Sequence, residues 1–255
     1  MVIVPATTGL QQAILQISSI VSSAGFQKAF EYMGLFREGL ICTLSVSALT
    51  VLFGFILALI LALLRLSKFK VLRAIVIAYV EFFRGTPLLV QVWLVFYVLF
   101  PIIEIFIPLP QIRLFGFIRF ERFIPCVLAL SLNSGAYLCE TIRAGIQSID
   151  GGQTEAARSL GLTQGQNMLY IVLPQAIKNT LPAIANEFVT IIKESSICYT
   201  IGVGEIMFAV NAVRGATFKV AEALIIATVL YFCLTFTTSK IIAYFERRMS
   251  RGDRR

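Results

Sequence analysis

The chain contains no histidine, which excludes His-dependent metal sites, catalytic triads and imidazole pH switches. Its five cysteines, Cys42, Cys126, Cys139, Cys198 and Cys233, lie within or beside apolar segments with no CxxC pair or metal-ligand spacing, the pattern of small packing residues. The remaining candidates for chemistry are polar groups set in apolar surroundings: Asn133, Ser134 and Tyr137, then Asn186 and Glu187, then Lys193, Glu194 and Ser195. At bilayer depth such groups are costly unless they pair or face a cavity, so they mark pathways as well as packing. A carboxylate at Glu187, beside Asn186, suits the amino group of a polar solute; pairing with Arg84 is the structural alternative. Asn133 and Ser134 either line a path or hydrogen-bond across helices. Lys193 to Ser195 form either an outer gate or an interfacial end at which Lys193 snorkels. Glu140 and Arg143, three apart, make an ordinary helical pair.

A second constellation is polar. After Asp150-Gly151-Gly152, a turn, the sequence Thr154-Glu155-Ala156-Ala157-Arg158 leads through Leu160-Gly161-Leu162 to Leu173-Pro174. Thr154 is a good N-cap, Glu155 favours the first turn, and Gly161 suits the position just past the helix end. Ala156, Ala157 and Leu160 then share one small face suited to a groove in another protein; a plain amphipathic linker is the alternative.

The elements that must hold these residues are membrane helices. Of 255 residues 58% are hydrophobic and 14% charged, against about one quarter charged in soluble domains. Apolar runs of the roughly 20 residues a span needs extend over 40–64, 123–146, 171–197 and 221–245. The run 71–100 would be about 45 Å long as one helix, and breaks at Arg84-Gly85-Thr86-Pro87, read as a hinge that the Arg84 guanidinium anchors. Residues 101–122 then form a loop. Leu10, Ile14, Ile17 and Val21 recur at helical spacing without a basic lead, which predicts an interfacial amphipathic helix rather than a cleaved signal peptide. The formal charge of +8 sits between spans and in the tail, so orientation explains it better than nucleic acid. The basic segments Arg65 to Arg73 and Lys240 to Arg255 fall on one side, which places the N-terminus outside and the C-terminus and polar loop in the cytoplasm.

Glu155-Ala156-Ala157, Gly161, and then Ile171, Leu173 and Pro174 at the right spacing resemble the EAA motif of ABC-importer permeases. Glu81 to Leu88, Leu132 to Tyr137 and Leu181-Pro182 through Asn186-Glu187 narrow the resemblance to permeases for polar amino acids, of the histidine, glutamine and arginine type. It covers Phe36 to the C-terminus; Asp150-Gly151 departs from it, since the family more often has proline there. The resemblance implies an all-α integral membrane protein with the five-span core of the type I ABC importer permease fold, in residues 37–245. An N-terminal extension, 1–36, precedes this core, a cytoplasmic EAA loop lies at about 147–170 and a basic tail follows at 246–255. It further implies a bacterial cytoplasmic (inner) membrane location and a partner set: ATPase subunits that bind ATP and Mg, a second permease copy or paralogue, an extracytoplasmic amino acid-binding protein, and membrane lipid. The chain itself has no GxxxxGK[ST] phosphate loop, so it is read as no enzyme and as holding no cofactor. An ion-coupled secondary transporter is the competing reading, but no internal repeat supports it.

Overall fold

The computed structural model describes residues 23–65 and 67–252. The periodic stretch Leu10 to Val21 and the last residues of the basic tail lie outside the described residues. The elements are helices α1 (Ser23–Glu31), α2 (Met33–Arg65), α3 (Lys70–Gly85) and α4 (Leu88–Phe106). A short antiparallel hairpin, β1 (Arg113–Leu114) and β2 (Ile118–Arg119), separates these from α5 (Phe120–Gln147) and α6 (Gly151–Ser159). Then come α7 (Gln164–Ile201), α8 (Ile206–Thr217) and α9 (Val220–Gly252). Among the described residues α2, α4, α5 and α9 are each long and apolar enough to cross a bilayer, and α7 with α8, bent by 44°, makes a fifth span if counted as one.

Helix α5 is the axis of the fold, with α2, α3, α4 and α7 packed around it. Lipid tails are as apolar as leucine, so membrane helices associate where small residues allow close approach. The buried stripe of α2 is made that way: Cys42, Thr43, Val46, Ser47, Thr50, Gly54, Ala58 and Ala62 recur every three or four residues. A Cβ at Gly54 would stand 3.1 Å from the Ser134 Cβ, and one at Gly135 would stand 2.8 Å from Leu57 Cδ2. Successive contacts fix the direction. Thr50 meets Ser131, Gly54 meets Ser134 and Arg65 meets Glu140, so α2 and α5 run parallel and finish at the same end. Helix α7 is antiparallel to them, with Thr180 against Gly145 and Glu187 against Ser134.

Several boundaries differ from the sequence reading. Phe36 is fully buried inside α2, which begins at Met33, so the core starts before the expected edge of the N-terminal extension. The break at Arg84 to Pro87 is present, with Thr86 extended at φ −115° and ψ 150° as a residue before proline must be. Beyond it α4 continues past Pro101, where a loop was expected, because a π turn at Val95–Leu99 precedes the proline and absorbs its missing N–H. The same device carries α7 past Pro174: a π turn at Met168–Val172 precedes it, and Gln175 donates its side-chain amide to the Ile171 carbonyl at 2.9 Å. Helix α8 was not foreseen.

Candidate functional site

The polar loop turns α5 into α7 through the short helix α6. Its first residue is Gly151, and the cap is Asp150, whose Oδ1 accepts from the Gly152 N–H at 2.7 Å. Thr154, the expected N-cap, lies instead within the helix and accepts from the Asn167 side-chain amide at 3.2 Å. Glu155 is consequently beyond the first turn, and its carboxylate is exposed. The other end is as expected. Gly161 has φ +81°, with its N–H on the Arg158 carbonyl at 2.9 Å and the Leu162 N–H on the Ala157 carbonyl at 3.1 Å, which together form a Schellman closure. The single small face is divided in two: Ala157 turns inward and is buried, while Ala156 and Leu160 point out, Leu160 at 81% exposure. Beneath α6, Thr163 and Gln166 form a capping box that starts α7. The helix is thus fixed at both ends and presents Glu155, Ala156, Arg158, Leu160 and Gly161 to solvent.

Above it, Arg65 at the end of α2 and Arg143 both hold Glu140, with Arg143 Nε on Glu140 Oε1 at 2.8 Å and Arg143 also donating to Gln147. The expected pair is therefore a triad that ties the ends of two spans together just before the loop.

The intramembrane candidates separate into groups. Asn133 is buried and donates to Gln91 Oε1 at 2.8 Å and to the Phe83 carbonyl at 3.3 Å. Gln91 in turn donates to the Phe83 carbonyl, the Thr86 carbonyl and Thr86 Oγ1. Asn133 and Gln91 thereby satisfy the carbonyls freed by the break before Pro87. Arg84 does not meet Glu187; its guanidinium lies 5.5 Å from the centre of the Tyr137 ring, over its face. Ser134 is buried and donates to Glu187 Oε1 at 2.8 Å. Asn186 is exposed beside it. Lys193 is exposed and lines a cavity of about 470 Å³ with Leu89, Tyr199 and Tyr231, whereas Ser195 is buried and bonds the Ile192 carbonyl at 2.9 Å. Glu194 is half-buried between them.

Sequence reasoning missed Gln91, which reads as one polar residue in an apolar run, and Glu205. Glu205 is fully buried and caps α8 by accepting from the Met207 and Phe208 N–H groups at 2.9 and 2.8 Å. Tyr231 of α9 donates at 2.6 Å to Oε2, the same carboxylate oxygen that accepts from Met207. Gly202 and Gly204 shortly before the acidic Glu205 were the available signal for a helix end and a new start, and Gly202 does take φ +76°. Among the described residues no group of three His, Cys, Asp or Glu could hold a metal.

Residues 50–251 match the family described as the inner membrane component of binding-protein-dependent transport systems. The chain belongs to that family. The permease is 41% identical over 216 residues to the arginine transport system permease protein ArtQ of Bacillus subtilis, covering 85% of this chain and 93% of that one. It is 36% identical over 212 residues to the putative glutamine transport system permease protein GlnP of Rickettsia conorii, covering 83% and 91%. Its structure resembles that of an amino acid ABC transporter solved with histidines, at 40% identity and a TM-score of 0.76, over 88% of this chain and 98% of that one. A likeness to the methionine transporter MetNI, at 18% identity and a TM-score of 0.59, over 83% of this chain and 96% of that one, concerns the fold alone. The permease is thus a multi-pass membrane component of an ABC transporter, and the family is a transporter subunit, separate from the ATPase.

Proposed function

We propose that the permease carries a polar or charged L-amino acid into the cytoplasm by alternating access, driven by a separate ATPase docked on α6. The observation that carries this reading is α6 itself, a short helix capped at both ends that turns Ala156 and Leu160 outward at the turn between two spans. Five spans, counting α7 and α8 as one, leave the termini on opposite sides, and the basic segments Arg65 to Arg73 and Lys240 to Arg255 favour the orientation with the N-terminus outside and the C-terminus and α6 in the cytoplasm. The ATPase binds ATP and Mg; a second copy of the permease or a paralogue completes the pathway, and an extracytoplasmic amino acid-binding protein delivers the solute. The arginine and glutamine permeases among the relatives support an amino acid as cargo. Glu187, positioned by Ser134 and flanked by Asn186, supplies the carboxylate for its amino group. The location is the cytoplasmic membrane of a bacterium.

The test is co-purification of the permease with its ATPase, comparing wild type with Ala156→Arg and Leu160→Asp. Both sites are exposed, so the variants stay folded and inserted, and loss of the ATPase is the expected result. Retention of the ATPase by both variants would remove α6 from the interface, and uptake driven by an ion gradient without ATP would favour a secondary transporter instead.

A further inference from the structure

The hairpin β1–β2 lies at the far end of α5 from the polar loop, between α4 and the first turn of α5. Its register sets Arg113 opposite Arg119 and Leu114 opposite Ile118. The second pair is the inner face, since Ile118 is fully buried and Leu114 packs on the same core. Side chains alternate along a strand, so the two arginines share the outer face, and both are exposed. Like charges directly opposite each other weaken a hairpin. Neither hairpin arginine shares in the ion pairs of Arg65 and Arg143 with Glu140.

The tip carries a second local penalty. Phe115 and Gly116 both have positive φ, 52° and 82°, a backbone for which Asn-Gly or Asp-Gly is favoured and a bulky residue is an outlier. Phe115 is nevertheless there, 73% exposed, on the same end of the molecule as exposed Ile105, Phe106 and Ile107 at the close of α4. Strain and repulsion that the fold itself does not use point to a ligand outside it.

Two guanidinium forks match a phosphodiester, and an exposed aromatic ring at the end of a spanning helix matches the interfacial layer of a bilayer. We propose that the hairpin is a binding site for an anionic phospholipid, in which Arg113 and Arg119 hold the headgroup phosphate and Phe115 enters the interfacial layer. An acidic protein surface would satisfy the arginines but would leave the apolar surface running from α4 to Phe115 unexplained. The carboxylates nearby, Glu104 and Glu121, line a separate cleft with Phe96, Tyr97 and Arg122. The inference rests on the membrane placement of α4 and α5 alone, so it stands or falls apart from the ATPase docking at α6.

The experiment is native mass spectrometry of the full chain in detergent, titrated with phosphatidylglycerol or phosphatidylcholine of the same acyl chains. Arg113→Gln/Arg119→Gln should lower phosphatidylglycerol occupancy by about fivefold per arginine, lower phosphatidylcholine occupancy by less because its choline already offsets the phosphate charge, and hold or raise the melting temperature as the repulsion is removed. Phe115→Gly should weaken retention of both lipids while holding or raising the melting temperature, because glycine accepts the left-handed turn. Equal phosphatidylglycerol occupancy in wild type and the double variant would overturn the proposal. So would loss of binding-protein capture by the double variant with its lipid occupancy intact, which would make the surface a protein dock.

Discussion

Ser134 on α5 and Glu187 on α7 meet at 2.8 Å, next to the closest approach between α5 and Gly54 of α2. The hydroxyl donates, so the carboxylate keeps its other oxygen available for a solute amino group. Glu187→Gln preserves size and an acceptor for Ser134 but removes the charge. Uptake of a cationic amino acid in proteoliposomes should fall about tenfold, the value of one hydrogen bond to a charged group, with the melting temperature little changed. Unchanged uptake would return Glu187 to helix packing.

Glu205 is a structural joint, because one carboxylate caps α8 and receives Tyr231 from α9. Glu205→Ala leaves two N–H groups and a hydroxyl without their acceptor and should cost about 2–4 kcal/mol, while Tyr231→Phe should cost about 1 kcal/mol. Because the two share one bond, the double variant should lose less than the sum. Thermal unfolding in detergent of the two single variants and the double variant checks the cycle.

The spans and the polar loop were legible in the sequence because each rests on local physics: long apolar runs, a break at Pro87, a glycine where a helix ends at Gly161. What escaped depends on partners distant in the chain. Asn133 was open to a path or to a hydrogen bond across helices, and its partners, Gln91 and the Phe83 carbonyl, lie 42 and 50 positions away in the chain. A loop was expected from Pro101 because a π turn leaves little trace in residue types. Asp150 was read as part of a turn, and Thr154, an equally good cap by type, took its role. The division of Ala156 from Ala157 follows from where Asn167 and the start of α7 sit, which the loop alone does not specify.

Helix α7 crosses α5 at Gly145, where a Cβ would stand 2.2 Å from Thr180 Cγ2 and 3.1 Å from the Ala176 carbonyl. Gly145→Ala should therefore destabilise by about 1–3 kcal/mol through overpacking. Thr180→Ser removes the offending methyl and keeps the hydroxyl that bonds the Ala176 carbonyl at 2.9 Å. The double variant should recover most of the loss in a thermal melt, and no recovery would mean that the carbonyl contact sets the limit.

Asp150 fixes the first turn of α6 through a single bond from its Oδ1 to the Gly152 N–H at 2.7 Å, and the helix has only nine residues over which to recover the loss. Asp150→Ala should cost about 1 kcal/mol of local helix stability, while Asp150→Asn, an equally good cap, should cost little. All the spans lie outside this loop, so the melting temperature of the permease should hardly move. Hydrogen exchange across Gly151 to Ser159 should accelerate about fivefold in the alanine variant, the rate equivalent of that cost. Solute-stimulated ATP hydrolysis by the assembled transporter should fall in parallel, and the asparagine variant should restore both. Faster exchange with undiminished hydrolysis would show that α6 docks without needing to be rigid beforehand.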